Sequence, residues 1–290
     1  MSYAFLFAIL SPFSWAIMNV IDKYIVHKKV KYPAGYTCVV GLANITLALI
    51  IGLFLDWSTV SVNDFLFPAI AGSSLGLAAF FYIILLESED ISHLVGLVYA
   101  YPLGVALLSF MFLQERLSTF GYIGVLLTLL GAVLLSFRVK KVSKNIVFLS
   151  IGLIVLFEVI NEFFIKVSTT AIGTWHGIVV NNISLGLTLL CGLFSSKMRK
   201  HFFAEIHNIG WESISSLFAL GGITTLYLAM AEIPATIVSS ISSIQPLAVL
   251  FLERTISAHI GTITKDKLLI PKLIPILLIA IGVGILYLGL

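Results

Sequence analysis

Charge is what this chain has least of. Only 11% of its 290 residues are Asp, Glu, Lys or Arg, less than half the share of an ordinary soluble domain. A net charge of +3 scattered over short connections offers no continuous basic face, which excludes a nucleic-acid partner. Cysteine is nearly missing as well. Cys38 and Cys191 are too few for a disulfide framework or a metal cluster, and both lie in apolar runs where a small buried hydrophobe is expected. Enzyme signatures are absent: no HExxH zinc helix, no GxSxG elbow and no P-loop. The chain is therefore expected to be a non-enzyme with no cofactor and no metal. The N-terminus has neither a basic leader nor a small-residue cleavage site, so its first apolar run is expected to be kept as a helix.

What is present is apolar. Hydrophobic residues make up 59% of the chain and the mean hydropathy is +1.09, the composition of an all-α integral membrane protein. A spanning helix takes about 20 mostly apolar residues, and ten such stretches can be cut. They run at 3–21, 34–55, 66–86, 92–113, 119–137, 146–165, 174–194, 213–231, 235–252 and 272–289. The connections 195–211 and 253–267 are mixed polar and apolar and are expected to lie along the membrane surface.

The ten divide into five and five, 1–141 and 142–290. A shift of 143 residues lays Trp15, Asn19 and Lys23 over Glu158, Glu162 and Lys166. Pro102 then falls beside Pro246, Glu115-Arg116 and Glu253-Arg254 each close their helices, and Gly124 and Gly131 share their spacing with Pro275 and Gly282. The shared order points to a duplication. An odd-numbered repeat must be inverted across the membrane. Of the 17 Lys and Arg, only Arg116 and Lys166 fall in even-numbered connections. Equivalent connections thus carry opposite bias, as inversion requires, and the positive-inside rule puts both termini outside.

Trp15 with Lys23, YPLGVALLSFMFLQERLS (101–118) and GVLLTLLGAVLLS (124–136) together resemble the drug/metabolite transporter superfamily in its ten-helix, EamA-like branch. The resemblance implies inverted five-helix repeats around a central cavity for small organic solutes. It also implies cytoplasmic termini, opposite to the charge count, and its fit is loosest in the ninth span, where Glu253 follows Pro246 by seven residues instead of thirteen. A multi-pass protein of a prokaryotic plasma membrane is expected, with a solute, protons and the bilayer as partners and a monomer sufficient for the fold.

The candidate site starts from FEVINEFFIK (157–166). Glu158 and Glu162 are one helical turn apart, Asn161 falls in the same arc and Lys166 lies one turn further. A charge near the bilayer centre costs at least roughly 2.5–3.5 kcal/mol, so packing alone does not place it there. Carboxyl groups taken from water favour their neutral form, and a pair of them can trade a proton for a cationic solute. The alternative is that Glu162 pairs with Lys166. On the matching face of the first helix stand Trp15, a cation–π wall, and Asn19; Asp22-Lys23 reads as a surface pair.

Tyr99, which shares a face with Pro102 while Tyr101 points elsewhere, Ser243 and Gln245 complete the expected lining. Asn181, Asn182 and Tyr227 are weaker candidates. His93 and His176 read as interfacial, and Glu115 and Glu253 as helix-end caps or gate contacts. The function expected is a secondary transporter of small organic solutes, leaning toward amines or amino acids. Its alternative is a lipid flippase, which would need a polar stripe open to lipid, with the Ser-rich ninth span as the segment able to supply it.

Overall fold

A computed structural model describes residues 2–86, 98, 101–136, 145–260 and 273–288. Among them there are twelve α-helices. They are α1 (Ser2–Lys28), α2 (Pro33–Gly52), α3 (Leu66–Leu86), α4 (Tyr101–Phe112), α5 (Thr119–Ser136), α6 (Asn145–Ala171), α7 (Thr174–Leu190), α8 (Ser196–Glu205), α9 (Ile209–Glu232), α10 (Ala235–Ser242), α11 (Gln245–Ile260) and α12 (Leu273–Leu288). Seven described helical stretches are long and apolar enough to cross a membrane, and three shorter apolar helices accompany them. This is an integral membrane helical protein, with eleven of the twelve helices at the ten expected spans. The ninth span is two helices, α10 and α11, parted at Ser243-Ile244. Helix α8 is an extra short element within the connection expected at the surface, and its Lys197, Arg199 and Lys200 face outward.

The burial pattern is that of a protein in lipid. Leu126, Leu130, Phe148, Phe251, Leu277 and Ile281 are exposed, whereas Asn19, Asp22, Asn161, Glu162, Glu205 and Glu212 are buried. Where no water reaches, polar groups gather inside because only there do they find partners. Helices α1 and α6 are each 27 residues, longer than expected, and this brings Lys23 and Lys166 inside helices instead of loops. At 1.5 Å per residue such a helix spans about 40 Å, enough to cross the headgroups too. Glu205 explains how α8 is held. Its carboxylate, 1% exposed, accepts from the backbone N–H groups of Lys31 and Tyr32, both at 2.9 Å, just ahead of α2, and from Asn208 Nδ2 at 2.9 Å.

Glycines set the closest crossings. A Cβ on Gly41 (α2) would lie 2.7 Å from the Gly186 carbonyl (α7), and one on Gly186 would lie 2.5 Å from the Gly41 carbonyl. Helices α5 and α12 meet the same way: Cβ atoms on Gly124 and Gly131 would lie 2.9 Å and 2.7 Å from the carbonyls of Gly282 and Pro275. These are the four residues whose equal spacing the repeat had matched. The wider packing is α1 with α9 and α11, α6 with α3 and α4, α3 with α7 and α2 with α9. Exchanging first-half helices for second-half ones in chain order leaves this set of pairings unchanged. Of the two cysteines, Cys38 is buried and Cys191 exposed, so the expectation of burial holds for the first and fails for the second, at the end of α7.

Because Gly41 faces backbone, a side chain there cannot be accommodated by rotamer changes. Gly41→Leu is expected to lower stability by about 1–3 kcal/mol through overpacking. Gly284→Ala, with no atom within 4 Å of its Cβ position, should leave it unchanged. Thermal unfolding of the two variants in detergent makes the comparison.

Candidate functional site

The helices enclose a central cavity of about 140 Å³ (the space open to the centres of water-sized molecules), room for on the order of ten waters. Residues of α1, α2, α3, α4, α6, α7, α9, α10 and α11 line it, and the α5–α12 pair stands aside. Trp15, Asn19, Glu158, Asn161, Glu162 and Gln245 are all on its wall, so the structure brings together six of the eight expected site residues. Ser243 is fully buried but does not line the cavity; its neighbour Ser242 does. Tyr99 lies outside the described residues, as does His93.

Local sequence explains how the acid wall is built. Gly104 on α4 lies so close to α6 that an added Cβ would be 2.4 Å from Val159 Cγ2. That approach delivers Tyr101, whose hydroxyl donates to Glu162 Oε1 at 2.7 Å. Tyr101, which helical phase had turned away from the site, is thus the tyrosine of α4 that meets it. Glu162 is only 4% exposed, and its Oε2 has no hydrogen-bond partner among the described residues. Half-buried Glu158, one turn earlier, makes no hydrogen bond among them either. Asn161 is committed: its Nδ2 donates to the Ala71 carbonyl at 3.0 Å and ties α6 to α3. Across the cavity Gly222 makes room for the indole of Trp15, as a Cβ there would lie 2.7 Å from Nε1, and Asn19 Oδ1 accepts from the Tyr82 hydroxyl at 2.9 Å.

Lys166 does not pair with Glu162. Its Nζ donates to the carbonyls of Met230 at 2.6 Å and Ile233 at 3.0 Å, the open C-terminal end of α9, where the helix dipole favours a cation. Glu115 does the converse. It accepts from the N–H groups of Ala235 at 2.8 Å and Thr236 at 3.2 Å and from Thr236 Oγ1 at 3.0 Å, capping α10. The turn between α9 and α10 is therefore held at both ends by charges of the right sign. Gln114 aims Glu115: α4 closes with the Glu115 N–H donating to the Ser109 carbonyl, six residues back, at 3.2 Å, and Gln114 between them sits in the left-handed region at φ 53°.

A second acid pair was not foreseen. Asp22, expected in a surface pair with Lys23, is 7% exposed and lines the cavity, as does Glu212. Ser215 Oγ donates to Asp22, the Tyr36 hydroxyl donates to Glu212, and Ser216 Oγ donates to Glu212 Oε1 at 2.7 Å. Lys23 turns instead to Glu253, 3.9 Å away. Glu212 was missed because the eighth span was started one residue after it. The signal available was a glutamate with serines three and four residues on, at 215 and 216, one face of a helix. Of the weaker candidates, Asn182 lines the cavity, whereas Tyr227 donates to the Gly177 carbonyl at 3.2 Å and is buried in packing. All eight residues of α10 are buried, so the Ser-rich segment presents no polar stripe to lipid.

This cavity, acid-walled and set between helices of both halves, can be compared with known proteins. Residues 2–137 match the model of the EamA-like transporter family. Over that span the chain is similar to the family. A crystal structure described only as that of a protein matches in fold, with a TM-score of 0.68 and 18% identity, over 99% of this chain and 98% of its own. No curated protein matches. The family is one of transporters, and the fold likeness extends over the whole described bundle.

The Glu115 cap generates a stability test. Glu115→Ala removes three acceptor contacts from the start of α10 and is expected to cost about 0.5–2 kcal/mol. Gln114→Gly, which relieves the left-handed backbone, should raise stability by a few tenths of a kcal/mol or more, roughly up to 1. Both are read as shifts in unfolding temperature.

Proposed function

We propose that the chain is a secondary active transporter of small organic solutes, cationic or zwitterionic, seated in a prokaryotic plasma membrane and working by alternating access about the central cavity. One observation carries the reading: Glu162 lines the cavity and its buried Oε2 has no partner among the described residues, with Glu158, which makes no hydrogen bond there, one turn away. A buried carboxylate lacking a partner costs several kcal/mol, so this pair requires either a proton or a bound cation. Exchanging the one for the other is what a proton-coupled antiporter does. Glu158, half-buried and reached from the cavity, is the coupling residue, with Glu162, Trp15 and Asn19 around the solute. Asn161 holds α6 in place.

The charge of the wall supports the preference for cations. Every charged side chain among the described lining residues is acidic: Asp22, Glu158, Glu162 and Glu212. The nearby lysines, Lys23 and Lys166, are engaged elsewhere. The two halves, 1–141 and 142–290, supply opposite walls as inverted copies, and the exchangeable helix pairings and the reciprocal Gly41–Gly186 crossing favour this arrangement. Rocking of one half on the other about a midplane site follows from such a design.

In proteoliposomes, Glu158→Gln should abolish amine uptake driven by a pH gradient, with at least about a hundredfold loss of initial rate. It should also remove the pH dependence of whatever exchange remains. Unchanged uptake with unchanged pH dependence would refute the coupling role.

A further inference from the structure

The cavity contains two acid pairs at different depths, and they are carried by different helices. Glu158 and Glu162 project from α6 beside Tyr101; Asp22 and Glu212 face each other from α1 and α9 beside Ser215 and Tyr36. Helix α3 measures the separation. Ala71 accepts from Asn161, next to Glu162, and Tyr82 donates to Asn19, one turn before Asp22. From Ala71 to Tyr82 is about 16 Å of helix axis at 1.5 Å per residue, part of which the long tyrosine side chain bridges. On α3 the lining residues between those two levels are Leu75, Ala78 and Ala79, all apolar.

We infer that the cavity takes an elongated dication, an α,ω-diamine or longer polyamine, with one ammonium group on the Glu158–Glu162 pair and the other on the Asp22–Glu212 pair. This rests on the transporter reading above and narrows its substrate class. The unpartnered Glu162 Oε2 supplies the open acceptor for the first group. Asp22 and Glu212 already accept from hydroxyls, but an ionised carboxylate offers about four acceptor positions, so both keep capacity for an ammonium group. A methylene chain between the charges suits the apolar middle of the wall. An organic cation fits better than a metal ion, because no group of three metal-ligating side chains converges among the described residues. Anionic solutes meet four carboxylates and no described base.

The test uses the purified full-length protein and calorimetric titration with α,ω-diaminoalkanes from diaminobutane to diaminodecane, the n-alkylamines of matching length, and the matching dicarboxylates. The best diamine should bind at least about tenfold tighter than its monoamine, the least that a second charge-assisted contact supplies, and the dicarboxylates should not bind. Asp22→Asn and Glu212→Gln are near-isosteric, and unfolding temperature reports whether each is folded. Each should collapse the diamine-to-monoamine ratio toward one. A wild-type ratio near one, or a ratio that both folded variants leave intact, overturns the inference. If diamines and monoamines bind alike and through Glu158, only the dication fails and the transporter reading stands. If no amine binds and uptake is indifferent to Glu158→Gln, both fall.

Discussion

Burying a carboxylate in a helical bundle without water is the constraint on which the rest of this structure depends. A buried ionised group must be paired or hydrogen-bonded, or it destabilises the fold by several kcal/mol. The described carboxylates sort themselves by how they meet that demand. Glu205 is saturated by two backbone N–H groups and an amide, and Glu115 by two N–H groups and a hydroxyl. Both act as caps. Asp22 and Glu212 are met by hydroxyls, and Glu162 by one hydroxyl on one oxygen only. The gradient from saturated to unsaturated runs from the periphery into the cavity. What is left unsatisfied at its end, Glu162 Oε2, is where the proposed cation would sit.

The basic residues follow the same logic with opposite sign. Lys166 sits one turn beyond Glu162 on the same helix, close enough for the pair that sequence alone would draw. Two carbonyls at the end of α9 compete for it and hold it. Helix-end carbonyls carry partial negative charge and otherwise lack partners, so the cation solves a backbone problem there. The consequence reaches the site: with its nearest lysine taken, the α6 acid pair keeps its open oxygen. Lys23 is drawn away from Asp22 toward Glu253 in the corresponding place on α1. Each lysine is thereby withdrawn from the cavity, leaving acids as the charged side chains among its described lining.

Much of this was legible in the sequence, because composition and helical phase are local properties. Ten apolar stretches, the face shared by Glu158 and Glu162, and the opposed Trp15 and Asn19 all follow from a 3.6-residue period. What phase cannot give is the distance of approach between helices. Tyr101 points away from Pro102's neighbours on its own helix, yet Gly104 brings α4 so near to α6 that its hydroxyl reaches Glu162. Ser243 has the right composition for a cavity wall and is turned into packing by the break between α10 and α11. Asp22 and Glu212 lie near helix ends, where a hydropathy window stops and assigns charge to solvent. Only the continuation of α1 to Lys28 and the start of α9 at Ile209 place them inside.

The halves therefore differ in a way the repeat does not suggest. Aligned by the repeat, Trp15 and Asn19 stand opposite Glu158 and Glu162, which assigns the acid to one half alone. The structure adds Asp22 one turn beyond Asn19, held by Ser215 from α9, and so the first half contributes an acid at another depth. A carrier whose halves rock must keep its cavity solvated or neutralised in both states, since a carboxylate stranded in closing apolar walls opposes the motion. On the proposed mechanism, acids at two levels, three of the four hydrogen-bonded to a helix of the other half, would favour closure only when a cation or a proton accompanies it. Coupling in the proposed transporter would then arise from where the carboxylates stand.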